Sequence, residues 1–177
     1  MLPMENAEAK EALDKARKRV QAISLMHELF YDGKPATKVD MSGFVSKLVL
    51  GLEAAFGYKE KVASLDIEVI EMDMDMATSV SIIINELVSN ALKHALENHP
   101  SPKLSVVLKK LKPGKLHLEV TDNGPGLPTG FTIEKTKSLG LKLVESYTNM
   151  LHGRLEIRNK NGTSVRLELE YISPPND

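Results

Sequence analysis

In the stretch that follows Met74, apolar side chains recur at the spacing of a helix with one face turned to a core: Val80, Ile83, Ile84, Leu87, Val88, Ala91 and Ala95. The opposite face is polar. Glu86, Asn90 and Lys93 return to nearly the same side, and Glu97 extends their stripe, so the pattern predicts a helix whose polar side is left out of the core and free to do chemistry. Further along, Leu116 to Val120 alternates apolar and polar residues as a half-buried strand does. With Leu104 to Leu111 it predicts a hairpin around Lys112-Pro113-Gly114, and Arg154 to Arg158 with Ser164 to Tyr171 predict a second hairpin around residues 159–162. Met41 to Phe56 and Ser138 to Leu151 read as helices, and Leu65 to Met74 as one strand. The sum is an α/β fold: a two-layer α/β sandwich with helices on one face of a mixed, mostly antiparallel sheet.

One long N-terminal helix is expected ahead of the sandwich. Asn6 to Tyr31 contains neither Gly nor Pro, and Ala9, Leu13, Ala16, Val20, Ile23, His27 and Phe30 alternate steps of four and three. That is the seam of a helix packed lengthwise on another helix, so it calls for a partner. Asp32-Gly33-Lys34-Pro35 breaks the helix and marks the domain boundary, giving a helical segment at 1–32, the sandwich at 33–173 and a tail at 174–177. No internal repeat interrupts this division.

Composition narrows the function classes. With 177 residues, 42% hydrophobic content and a net charge of −1, the chain can bury one core with an appendage, and nothing in its charge favours nucleic acid. There is no cysteine, which excludes disulfides and thiolate metal sites and fits a cytoplasmic location. No apolar run approaches the roughly 20 residues of a membrane-spanning helix, and no signal peptide is visible.

The predicted strand at Leu116 to Val120 runs into Asp122-Asn123-Gly124-Pro125-Gly126. An Asp at such a strand end can accept a hydrogen bond from an amine, and the two glycines let backbone come close to a ligand. An ordinary Asn-Gly turn would explain the glycines but not their pairing with a polar-striped helix. Together the two segments describe a nucleotide pocket.

These residues resemble the ATP-binding family shared by gyrases, Hsp90-type chaperones, histidine kinases and mismatch-repair ATPases. The helix Asn85-Glu86-Leu87-Val88-Ser89-Asn90-Ala91-Leu92-Lys93-His94-Ala95 looks like its N box, and Asp122 to Gly126 like its G1 box. Ser138-Leu139-Gly140-Leu141-Lys142-Leu143-Val144 is similar to the G2 box, and Gly162-Thr163 to the terminal glycine-threonine pair. Four motifs in family order, covering Asp75 to Tyr171, make the match specific where any one alone would be weak. The N box, and the short stretch between Gly126 and Gly140, are most similar to the catalytic domain of a sensor histidine kinase of the short-lid branch.

The resemblance implies ATP and Mg²⁺ as ligands. Asn90 would ligate the metal through its side-chain oxygen, and Lys93 would meet the phosphates as a point charge. Asp122 would accept from the adenine amine, with Thr163 supporting it through water. Gly124 and Gly126 would allow close approach on the base and ribose side, and Leu139, Gly140 and Leu141 would open a helix whose first amides hold phosphate oxygens. His94 would stack on adenine or stand as a neutral surface imidazole. Glu86 would act with Lys93 in catalysis, as a base toward either water or an incoming imidazole. The lid at Pro128 to Lys137 carries Lys135 and Lys137, which reach the phosphates or remain solvated. With one glycine at its start where many kinases have more, the G2 segment would offer fewer backbone contacts to phosphate.

By the same resemblance, the chain would transfer the γ-phosphoryl group of ATP to a histidine on a dimerisation helix, with a response regulator downstream and a homodimer formed through the N-terminal helix. That helix matches the second half of the dimerisation hairpin. The accepting histidine is expected on the first half, outside this chain, so phosphorylation of this chain alone is not expected. His27 sits on the heptad seam and is expected to pack, although His27-Glu28-Leu29 superficially resembles an acceptor motif. His99, His117 and His152 have neither acceptor nor metal spacing. Two rival readings share the fold: a nucleotide-binding module without transfer activity, and an anti-sigma-type serine kinase.

Overall fold

The computed structural model describes residues 38–133, 136, 138–159 and 161–172. The expected N-terminal helix with His27, the break at residues 32–35, Lys135, Lys137 and the tail at 174–177 lie outside the described residues. In chain order the elements are β1 (Lys38–Asp40), α1 (Met41–Ala55), β2 (Ala63–Ile67), β3 (Glu71–Asp73), α2 (Met74–Asn90), a π-helical turn (Ala91–Ala95), β4 (Leu104–Lys112), β5 (Lys115–Asp122), α3 (Leu139–Met150), β6 (Arg154–Asn159) and β7 (Thr163–Glu170).

Local chemistry sets the helix ends. Asp40 caps α1 by accepting from the main-chain N–H of Ser42 at 2.9 Å and of Gly43 at 3.4 Å. Asp73 caps α2 in the same way, accepting from Met76 N–H at 2.8 Å. At the far end of α1, Gly57 takes a positive φ of 83°, and its N–H and that of Tyr58 satisfy the carbonyls of Ala54 and Glu53.

The main sheet has the order β2-β4-β5-β7-β6, with β2 parallel to β4 and every other pair antiparallel. Its register sets Val106 opposite Val120 and Leu118 opposite Leu167. Along β5 the parity is strict: Leu116, Leu118, Val120 and Asp122 are buried, whereas Lys115, His117, Glu119 and Thr121 are only half-buried. The buried row faces the helices, where α2 packs against both α1 and α3 and contributes Val80, Ile83, Ile84, Leu87 and Val88 to the core. Parity therefore carries Asp122 to the helix side of the sheet, on the same row as the core leucines. This is the expected α/β sandwich with a mixed sheet.

One expected element divides in two. Residues Leu65 to Met74 do not form a continuous strand: β2 ends at Ile67, Val69 is 71% exposed, and the buried positions shift to Ile70 and Met72. The alternation Leu65, Ile67, Val69 thus slips one register where the chain leaves the sheet. β3 then pairs antiparallel with β1 in a separate two-stranded sheet, Val39 opposite Met72, a partner too short to carry a periodic signal of its own. Tyr171 ties this small sheet down, its hydroxyl donating to the Glu71 carbonyl at 2.8 Å.

The sheet face away from the helices centres on Glu119. Its carboxylate accepts from Ser164 Oγ at 2.7 Å and Arg166 Nε at 3.0 Å, and lies 3.2 Å from His117 Nε2. Burial pushes the Glu119 carboxyl up, but the hydrogen bonds from Ser164 and Arg166, the Arg166 charge and the His117 contact outweigh it and hold the carboxyl below the ordinary glutamate value. Because the folded-state value lies below the unfolded one, this stabilisation is complete above the ordinary glutamate pKa and is lost as pH falls through the folded value. Urea unfolding of Glu119→Gln should accordingly show lower stability than the parent at neutral pH, with the difference shrinking as the buffer is taken to the acid side of the glutamate range.

Candidate functional site

Asp122 closes β5 only 8% exposed, and its Oδ1 accepts two main-chain N–H groups, from Gly124 at 2.8 Å and from Thr163 at 3.2 Å. The first bond makes the Asp-Asn-Gly segment an Asx turn, and the second fastens it to the start of β7. Oδ2 accepts no hydrogen bond among the described residues. A carboxylate held by two amides through one oxygen keeps the other for a donor that comes from outside. The link from Thr163, expected through water, is a direct main-chain bond. Gly162 closes the same contact: its φ is 116°, and a side chain there would strike the Asp122 carbonyl.

Asn123 anchors the turn to the other neighbouring strand. Its Oδ1 accepts from Lys103 N–H at 2.8 Å and its Nδ2 donates to the Ser101 carbonyl at 2.9 Å, just before β4 begins. Gly124 then seats the turn on the end of the helical segment. A Cβ built at Gly124 would lie 2.5 Å from Ala95 Cβ and 2.7 Å from the Ala95 carbonyl oxygen. This close approach brings the two chemistry-bearing segments together, since Ala95 ends the same turn that carries Lys93 and His94 and that follows Asn90 directly.

The helical segment differs from a simple amphipathic rod. After Asn90 it widens into the π turn, in which Leu96 N–H bonds to the Ala91 carbonyl at 2.9 Å. The extra residue advances the buried face, so Leu92 and Leu96 enter the core while Ala95, expected on the apolar stripe, is half-buried under Gly124. The polar stripe also lies deeper than its pattern implies. Glu86 is 7% exposed, Asn90 and Lys93 are half-buried, and His94 is exposed.

The remaining expected positions lie at the opening of α3 and in the glycine turn. Leu139 is 60% exposed and Gly140 buried, and Ser138 caps α3 with no side-chain hydrogen bond and no acidic residue in the first turn. The first amides of α3 are thus available to an anion. Gly126 has a φ of 79° and abuts Asn159, so in the structure its missing side chain makes room for protein. Among the described residues no group of three or more His, Asp or Glu could hold a metal ion unaided. A divalent cation beside Asn90 would need oxygens brought by its own ligand, as a phosphate chain would bring them.

Three asparagines escaped the pattern. Asn123 and Asn159 act through main-chain contacts that no spacing rule marks. Asn85 is buried on α2, and its Oδ1 is the buried side-chain atom without a hydrogen-bond partner among the described residues. An amide directly before the polar stripe was its only sequence signal. A cavity of about 720 Å³ lies elsewhere, walled by Leu127–Ile133, α3 and β6, and includes none of Asn90, Lys93 or Asp122.

Comparison with known proteins fits this geometry. Residues 76–172 match the family described as histidine kinase-, DNA gyrase B- and HSP90-like ATPase, and residues 3–56 match a family described as histidine kinase. The sensor histidine kinase PdtaS of Mycobacterium tuberculosis is 30% identical over 175 residues, covering 93% of this chain and 33% of the relative. The blue-light-activated histidine kinase 2 of Erythrobacter litoralis is 19% identical over 161 residues, 88% of this chain and 46% of that protein. This chain therefore spans between about a third and a half of these relatives. The solved histidine kinase domain of the Erythrobacter litoralis EL346 blue-light-activated kinase superposes with a TM-score of 0.75 at 18% identity, over 86% of this chain and 73% of that one, and so shares the fold.

The seat of the turn on the helical segment is open to a direct test. Gly124→Ala forces a Cβ into main chain that cannot retreat like a side chain, and should cost about 1–3 kcal/mol of stability, measured by urea unfolding.

Proposed function

Because the chain belongs to the histidine kinase-, DNA gyrase B- and HSP90-like ATPase family, we propose that it binds ATP with Mg²⁺ and transfers the γ-phosphoryl group to a histidine in two-component signalling. The observation that carries this reading is the contact of Gly124 with Ala95, which joins a half-bonded buried carboxylate to a helix end bearing an amide and an ammonium. The names of the relatives support the acceptor class.

In this reading the second carboxylate oxygen of Asp122 accepts from the adenine amine, and the main chain of the turn that Gly124 and Gly126 shape borders the base and ribose. Thr163 holds Asp122 in register through its main chain. Asn90 offers its side-chain oxygen to the cation, Lys93 meets the phosphates, and the first amides of α3 at Leu139, Gly140 and Leu141 complete the anion cradle. The cation supplies charge neutralisation across the phosphate oxygens. His94 lies beside the base. Glu86, one turn before Asn90, takes the proton that the attacking imidazole gives up as its N–P bond forms and the bond to the ADP oxygen breaks. The chain's part is mainly positioning and electrostatic complementarity.

The match of residues 3–56 to a histidine kinase family supports reading residues 1–32 as half of a dimerisation hairpin, with residues 33–173 as the catalytic domain. The acceptor histidine then comes from the other half, the chain pairs with a copy of itself through the hairpin, and a response regulator receives the phosphoryl group. No described helix is long and apolar enough to cross a membrane, and this reading sets the work in the cytoplasm, where ATP is abundant.

Incubation with γ-labelled ATP and Mg²⁺, with and without a supplied acceptor hairpin, tests the proposal. The expected result is acid-labile label on the hairpin and little on the chain alone. Asn90→Ala should lower transfer at least a hundredfold, on the scale of losing one positioned electrostatic group. Acid-stable label, or transfer unchanged in Asn90→Ala, would contradict it.

A further inference from the structure

Asn159 closes β6, and its carboxamide bonds twice to the main chain of one distant residue: Oδ1 accepts from Leu127 N–H at 3.1 Å, and Nδ2 donates to the Leu127 carbonyl at 2.7 Å. A single side chain thereby reproduces the two-way exchange of an antiparallel strand pair. Gly126, immediately before, has a positive φ, and a side chain there would run into the same carboxamide. A side chain at position 126 and this clamp exclude one another.

The clamped residue is where the chain leaves the glycine turn and enters the lid. From Leu127 to Ile133 the lid forms one wall of the 720 Å³ cavity, facing Leu155 and Ile157 of β6 and Thr148 of α3. The root of the lid is thus fastened to the edge strand of the sheet. The hairpin that fastens it also holds Asp122, through Gly162 packed on the Asp122 carbonyl and the Thr163 N–H bonded to Oδ1. One short connection between β6 and β7 therefore grips both ends of the glycine turn, the carboxylate before it and the lid root after it.

We propose that Asn159 is a positioning residue for the lid: a latch that sets the direction in which Leu127–Ile133 leaves the glycine turn and couples that direction to the state of Asp122. The coupling half rests on Asp122 meeting a nucleotide, as proposed above; the latch itself does not. A side-chain clamp suits this place because it can release the lid root without unzipping any strand pair, whereas a main-chain ladder would have to break several bonds together.

Amide hydrogen exchange on the nucleotide-free chain separates the two halves. In Asn159→Ala the amide of Leu127, and with it that of Phe131, which bonds to the Pro128 carbonyl, should exchange about tenfold faster, the factor expected for a lost hydrogen bond, while those of β5 and β7 keep their rates. Asn159→Asp retains an acceptor and removes the donor, so Leu127 itself should stay more protected than in the alanine variant. Unchanged protection at Leu127 and Phe131, or acceleration spread equally through the sheet, would overturn the latch. Calorimetric titration with Mg·ATP should then show several-fold weaker uptake by Asn159→Ala than by the parent, and equal uptake would overturn the coupling. A parent chain that takes up no nucleotide would refute the coupling together with the proposed function, with the exchange result still deciding the latch.

Discussion

The site depends on one missing atom group. With no Cβ at Gly124, the turn after β5 settles onto Ala95 at a separation that no other residue allows. That contact brings two separate sequence segments side by side. Strand parity has already carried Asp122 to the helix side of the sheet, and the Asx turn that Gly124 completes through its own N–H fixes the carboxylate through one oxygen, the other accepting no hydrogen bond among the described residues. The π turn contributes from the other side. Its extra residue presents Ala95 to the glycine while Leu92 and Leu96 remain in the core, so the helix reaches the sheet without surrendering its packing.

Around this seat the described residues leave room for the proposed reading. No described cluster of carboxylates or imidazoles could retain a metal unaided, the opening of α3 carries no acidic side chain, and Asn90 is neutral. In the proposed reading, cation and triphosphate each complete the other's ligand shell, which explains why a magnesium site can rest on one amide.

Much of the fold was legible because its elements are long and strictly periodic. The hairpins β4–β5 and β6–β7, the parity of β5 and the helices α1, α2 and α3 follow from apolar spacing and from turns at Pro113-Gly114 and Asn161-Gly162. What escaped notice has a common cause. β1 and β3 are three-residue strands, too short for periodicity, and the slip at Val69 looks in sequence like continued alternation. The π turn changes helix phase by one residue, which a fixed angular step cannot register, so Ala95 was assigned to the core stripe instead of to the contact with Gly124. The two segments were read as one pocket from their residue types, but the contact that joins them, Gly124 on Ala95, was not legible. Asn123 and Asn159, which pin the turn from either side, act through main-chain partners 22 and 32 residues away, and an asparagine at a strand end looks like any turn former.

In the proposed reading one ligand bridges the helix end and the carboxylate after β5. Amide chemical-shift mapping during titration with a non-hydrolysable ATP analogue and Mg²⁺ tests it most directly. Concerted shifts are expected at Asn90, Lys93, Gly124 and Thr163, all abolished in Asp122→Ala. Shifts confined to Leu127–Ile133 and Leu155–Ile157, or the same shifts persisting in Asp122→Ala, would contradict it.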